Sequence, residues 1–407
     1  MELVELNKIC DLQNGYAFKS SDYVESSNTL NCRMSNIRPQ GYFDVDYAPK
    51  YLPDAYAETY KDYLLEDGDL VIAMTDMAND PKILGVPTIV ETGGKSMLLN
   101  QRVGKLEIIA PELIHVPYLQ YSLNRKSVKK YYTKFAGGGL QLNVGKKQIL
   151  SVKIPLPPLT EQKKIAAILD TADNYRQKTK ALIAKYDELT QSLFLDMFGD
   201  PLTNPKGWDK NILKNHLIDV KNGITRRPKT EEDKSGQIVL KLKHIRSNFI
   251  NYDCDNRILL ENSEKTKFSV NIGDLLFIRV NGNPDYVGRC ALYDNNKYEV
   301  FFNDHIMRVR VDLNTFNSLF LCQYLNYPYG QREISKRVKT SAGQHTINQG
   351  GLDKLNLIVP PLELQNQFAE RVQAIETQKT QAQESLAKVE DLFNSLLQKA
   401  FKGELTN

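Results

Sequence analysis

The sequence predicts an α+β chain made by internal duplication: two mixed globular segments, each followed by one long amphipathic helix. Three observations predict it: a long helical run after a Pro-Pro stop, a second copy of that run, and matched strand and turn signals before each. The first run follows Pro157 and Pro158, whose rings bias the preceding residues away from helix. From Thr160 there is no glycine or proline until Gly199, and Pro201 comes two residues later, a strong stop. Apolar residues recur by threes and fours at Ile165, Leu169, Ala172, Leu182, Tyr186, Leu189, Leu193 and Met197, which makes one stripe on a helix. At 1.5 Å per residue the rod is roughly 55–60 Å long.

The run occurs again 203 residues later, where Pro361-Leu362 repeats Pro158-Leu159. The offset then holds without a gap. Gln162 matches Gln365, Ile165 matches Phe368, Leu169 matches Val372, Tyr186 matches Val389, Leu193 matches Leu396, and Phe198 matches Phe401. Constant register over such a stretch is the mark of a repeat rather than of two unrelated helices. The predicted parts are a globular segment over 1–158, a helix over 159–200, a second globular segment over 201–357 and a second helix over 358–407.

The globular segments are diverged copies. The turn at Asn14-Gly15 is answered by Asn222-Gly223, and Asn36-Ile37-Arg38 by His244-Ile245-Arg246. Gly68-Asp69-Leu70 opens a buried strand, as Gly273-Asp274-Leu275 does in the second copy. A helix with Tyr118, Leu119 and Leu123 parallels one with Phe320, Leu321 and Leu325. Basic residues follow each: Lys126, Lys129, Lys130 and Lys134 in one copy, Arg332, Lys336, Arg337 and Lys339 in the other.

Composition is that of an ordinary soluble protein, 41% hydrophobic and 25% charged over 407 residues. The N-terminus lacks the charged and apolar regions of a signal peptide, and no apolar run is long enough to span a membrane. Five scattered cysteines without a CxxC pair predict a reducing cytoplasm and neither a disulfide framework nor a zinc site. The net charge is only +4, but residues 206–356 carry 24 basic and 17 acidic groups, net +7, while 1–158 carry 18 of each. An anionic partner for the second segment is the functional reading, and a solvated basic surface is the competing one.

Motifs for chemistry are missing. No GxxxxGK[ST] phosphate loop, H-E-x-x-H or G-x-S-x-G occurs, and the five histidines are isolated. Asn283-Pro284-Asp285-Tyr286 is near the Asn-Pro-Pro-Tyr loop of amino-methyltransferases. It has Asp in the third position, no glycine-rich loop for the methyl donor accompanies it, and the first copy has Asn79-Asp80-Pro81 there. A turn is the better reading.

Pro155-Leu-Pro-Pro-Leu-Thr-Glu-Gln-Lys-Lys-Ile165, its echo from Val359 to Phe368, and the paired Gly-Asp-Leu strands resemble the specificity (S) subunit of type I restriction-modification systems over nearly the whole chain. In the second copy Leu364 replaces the Glu of the motif. The resemblance implies two target recognition domains, each reading half of a bipartite asymmetric DNA site. It implies that the long helices pair as an antiparallel coiled coil that spaces the domains and docks two methyltransferase subunits, with restriction subunits joining them. The chain itself is then non-catalytic and binds no cofactor. S-adenosylmethionine, ATP and magnesium belong to the partner subunits.

On that reading the candidate DNA contacts are Arg38, Lys129, Lys130, Lys134, Lys146 and Lys147 in the first segment. In the second they are Arg226, Arg227, Lys229, Lys241, Lys243, Arg246, Arg332, Lys336, Arg337 and Lys339. The expected helix seam is Ile165, Leu169, Leu182, Tyr186, Leu189 and Leu193 against Phe368, Val372, Leu386, Val389, Leu392 and Leu396, packed knobs-into-holes. Two other classes stay open: a methyltransferase or nuclease with an unrecognised site, and a coiled-coil adaptor that joins proteins without touching DNA.

Overall fold

The computed structural model describes residues 2–135, 137, 139–227, 235–294 and 298–405. The chain divides into two compact units, Met1–Lys180 with Glu384–Asn407, and Ala181–Gln383. The expected boundaries fall at helix ends, whereas this division falls inside the helices. The physical reason is burial: the long helices complete the cores of the globular units instead of standing apart.

In the first unit a four-stranded antiparallel sheet runs in the order Cys10–Asn14, Val103–Ile108, Leu70–Ala73, Pro87–Ile89. A second sheet pairs Thr29–Cys32 in parallel with Ser96–Leu99, flanked by Tyr51–Leu52 and Leu64–Leu65. The second unit repeats the plan. Its antiparallel sheet is Leu217–Asn222, Ile306–Val311, Leu275–Ile278, Cys290–Leu292. Its smaller sheet pairs Gln237–Leu240 in parallel with Val300–Phe302. In each unit the first strand returns to the last: Leu3–Glu5 pairs with Lys153–Pro155, and Lys210–Ile212 with Asn356–Ile358.

The Gly-Asp-Leu steps explain how the central strands begin. Gly68 and Gly273 sit at φ of +94° and +93°, a region that side chains disfavour. The aspartate that follows caps the turn. Asp69 accepts from Glu66 N at 2.9 Å and Asp274 from Asn271 N at 2.8 Å. Asp274 is buried and is further held by Arg310 at 2.7 and 2.8 Å. Gly15 and Gly223 have a different reason: a Cβ there would lie 2.2 Å from the backbone oxygens of Asn100 and Phe302.

The long helices span Leu159–Phe198 and Leu362–Lys402. In the first unit Ile165, Ala166 and Leu169 join Phe393 and Ala400 in one core with Tyr118, Leu119 and Leu123. In the second unit Phe194, Met197 and Phe198 join Phe368 and Val372 against Phe316, Phe320 and Leu321. Each unit therefore buries the start of one long helix against the end of the other.

Three residues of the expected seam lie elsewhere, while Ile165, Leu169, Phe368, Val372 and Val389 are buried. Leu182, Leu189 and Leu392 are 45%, 49% and 55% exposed. Strict alternation of four and three from Ile165 keeps Tyr186 and Val389 of the expected seam and adds Arg176, Thr179 and Thr190, and in the second helix Ala382 and Phe393. Arg176, Thr179, Thr190, Ala382, Val389 and Phe393 are all buried. Hydropathy selected leucines one position off the 3.5-residue line along which paired helices meet.

Candidate nucleic-acid interface

Two loops occupy the same place in the duplicated plan, and each runs from an arginine to an aromatic residue. In the first unit Arg38 N donates to Tyr42 O at 3.0 Å, closing Arg38-Pro39-Gln40-Gly41-Tyr42, with Gly41 at φ +87°. In the second, Arg246 N donates to Phe249 O at 3.0 Å, closing Arg246-Ser247-Asn248-Phe249, with Asn248 at φ +74°. Tyr42 and Phe249 are both exposed.

An asparagine at the C-terminal end of a helix holds each loop. Asn124 Nδ2 donates to Gln40 O at 2.9 Å, helped by Gln120 Nε2 on Gly41 O. Asn326 Nδ2 donates to Asn248 Oδ1 at 2.7 Å and to Cys290 O at 2.8 Å. Sequence reasoning missed this pair, although Asn124 and Asn326 keep the spacing of the apolar residues around them. Both tips are hydrogen-bonded to an asparagine at a helix end, yet they differ chemically.

The predicted cations separate into held and free. Arg38 stacks on Tyr47, 3.7 Å from the ring centroid. Lys146 pairs with Asp11 at 2.6 Å, and that partner holds the Asp11 carboxyl below its usual range. Arg226 reaches Leu259 O and Glu264 at 2.5 and 3.0 Å, and Arg227 reaches Asp304 at 2.9 Å. Lys243 is 3.5 Å from Asp255, Lys336 pairs with Glu333, and Arg337 leans on Lys354 O. Lys129 is half-buried and Lys241 likewise. Lys130, Lys134, Lys147, Arg246, Arg332 and Lys339 are exposed and make no ion pair among the described residues. Lys229 lies outside the described residues.

Among the described residues no group of three or more His, Cys, Asp or Glu is placed to hold a metal. Asn283 caps a short turn by accepting from Asp285 N at 3.0 Å, and Tyr286 lies under Arg289. Among the described residues no helix is long and apolar enough to cross a membrane.

A family model described as the type I restriction modification DNA specificity domain matches twice, over residues 1–187 and 205–391. The chain belongs to the type I restriction-modification specificity family. It is similar to the StySPI specificity subunit of Salmonella potsdam, 27% identical over 88% of this chain and 83% of that one. It is also similar to the EcoKI specificity subunit of Escherichia coli K12, 24% identical over 89% and 86%. The crystal structure of the type I S subunit from M. genitalium superposes with a TM-score of 0.60 at 14% identity, covering 98% of this chain and 96% of that one. As a specificity subunit the chain recognises DNA sequence. Each of the two family matches contains one copy of the Arg-to-aromatic loop.

Proposed function

We propose that each globular domain of this specificity subunit reads one half of a bipartite, asymmetric DNA target. One observation carries the proposal: the same scaffold and anchoring asparagine present two loops of different chemistry, Arg38 to Tyr42 and Arg246 to Phe249. Two readers on one plan are needed only if they read different half-sites. Phosphate contacts come from the unpaired cations, which position the duplex without specifying it.

The long helices set the spacing between half-sites and dock two methyltransferase subunits, to which restriction subunits are added. Support for docking comes from Leu182, Leu189 and Leu195, exposed apolar residues on one helix. Methyl transfer, and with it S-adenosylmethionine, ATP and magnesium, belongs to those partners.

Exchanging residues 206–356 for the equivalent segment of another specificity subunit tests this. Selection of bound sequences by the assembled methyltransferase is expected to show one half-site changed and the other kept. A change in both half-sites would refute the modular reading. Transfer of methyl groups to DNA by the purified chain alone would refute the division of labour.

A further inference from the structure

The first unit contains a cavity of about 410 Å³ between the helix pair Val116–Leu123 and Lys126–Thr133 and the end of the second long helix. That volume lies within the usual range for small-molecule sites. Its lining holds five cations, Arg125, Lys126, Lys129, Arg176 and Lys402, and no carboxylate. The acids nearby are already engaged: Asp170 accepts from Tyr121 Oη at 2.7 Å, and Asp173 pairs with Arg176.

Three features set this cavity apart from a solvated basic surface. Arg176 is only 7% exposed, its guanidinium lies 4.5 Å from the centroid of Phe393 and pairs through Nη2 with Asp173, and its Nε alone has no hydrogen-bond partner. Helix Lys126–Thr133 starts at the cavity with no side-chain cap, so its first N–H groups are available to an anion. Burial lowers the pKa of Lys129 and of Arg125; Arg125 Nε donates to Ser122 O at 2.8 Å and its guanidinium lies 4.8 Å from the centroid of Phe401, with no carboxylate partner among the described residues.

The duplicated half supplies an internal comparison. At the positions of Arg125, Ser127 and Leu397 the second unit has Tyr327, Tyr329 and Phe194. There Phe194 lies 5.5 and 5.4 Å from the two tyrosine rings, and the space is an aromatic cluster. Packing alone is satisfied by that plug. At these positions the first unit has one cation, Arg125, and the smaller Ser127 and Leu397, around an open space.

We propose that this cavity binds a small, multiply charged phosphate ester. The phosphates sit between the Lys126 helix start and Arg125, Lys129 and Arg176. The organic part lies along Leu397 and Phe401, with Asn394 and Gln398 as polar partners.

Calorimetric titration of the full chain with pyrophosphate, ADP and adenosine tests the site. Saturable binding of pyrophosphate and ADP, with adenosine far weaker, is the expected result. A double variant, Ser127→Tyr with Leu397→Phe, imports the second unit's plug without removing a charge, and is expected to weaken ADP binding roughly tenfold or more. Lys129→Gln, at a half-exposed position that leaves packing alone, is expected to weaken it several-fold. Three results would each overturn the proposal. They are no saturable binding below about 1 mM, unchanged affinity in Lys129→Gln, or displacement of ADP by a short duplex at equal phosphate concentration. The last would assign the cations to the DNA face.

Discussion

Gln162 and Gln365 explain why the Pro-Pro-Leu-x-x-Gln motif occurs twice. Both are fully buried. Gln162 accepts from His115 N at 2.9 Å and donates to Leu113 O and Pro157 O, each at 2.8 Å. Gln365 accepts from Asn317 N at 2.9 Å and donates to Thr315 O and Pro360 O at 3.0 and 2.8 Å. One amide therefore joins the loop before the domain's helix to the start of the long helix. Leucine at this position would leave three buried backbone groups unpaired. Gln365→Leu is expected to destabilise the second unit by about 2–3 kcal/mol, read as a shifted urea midpoint. A shift below about 0.5 kcal/mol would show the clamp to be incidental. Leu364, which replaces the motif's Glu, is partly buried against the same core, so that departure leaves the clamp intact.

Individual cations differ in the same way, by what already holds them. Arg226 and Arg227 have carboxylate partners, so their phosphate contacts would compete with Glu264 and Asp304. Replacing Arg246, Arg332 and Lys339 by Gln is expected to flatten the slope of log affinity against log salt. The slope falls by up to about one unit for each phosphate that no longer has its cation. The pair Arg226→Gln and Arg227→Gln is expected to change it less. Gel shifts of the assembled methyltransferase over a salt series decide, and the reverse order would place the interface around Arg226.

Among the elements, a long helix is buried along a 3.5-residue line whatever its leucines do. Phe393 lies on that line, packs with Ile165 and Leu169, and carries Arg176 over its ring. Phe393→Ala is expected to cost about 3–5 kcal/mol in the first unit. Leu182→Ser with Leu189→Ser is expected to stay within about 0.5 kcal/mol per site, because both side chains are exposed. The same double variant is expected to weaken assembly with methyltransferase subunits, measured by analytical ultracentrifugation. Full assembly with unchanged affinity would remove these leucines from the docking surface.

The proposed ruler role involves the full length of both helices, which run unbroken for 40 and 41 residues. Inserting one heptad after Lys178 and one after Gln381 preserves the 3.5-residue line and lengthens each helix by roughly 10 Å. On duplex DNA at about 3.4 Å per base pair, the preferred gap between half-sites is expected to grow by about three base pairs. Binding should weaken, because each added pair also rotates one half-site relative to the other. An unchanged gap in the sequences selected by this variant would mean that the helices do not set the spacing.

The duplication, the limits of the first long helix, the strand turns at Gly68 and Gly273, and the family were legible in the sequence. Each rests on local order: proline and glycine stops, a fixed offset, a turn residue ahead of an apolar run. The second helix, expected over 358–407, runs Leu362–Lys402 and leaves Ile358 in a strand. Side-chain partnership was not legible, because it joins residues far apart in the chain. That Arg226 meets Glu264, that Asn124 and Asn326 seat the two loops, and that Thr190 rather than Leu189 faces inward depends on backbone paths no local pattern fixes. The cavity of the first unit is the clearest case. Arg125, Arg176 and Lys402 are ordinary basic residues in three separate stretches, and only tertiary packing brings them around one space.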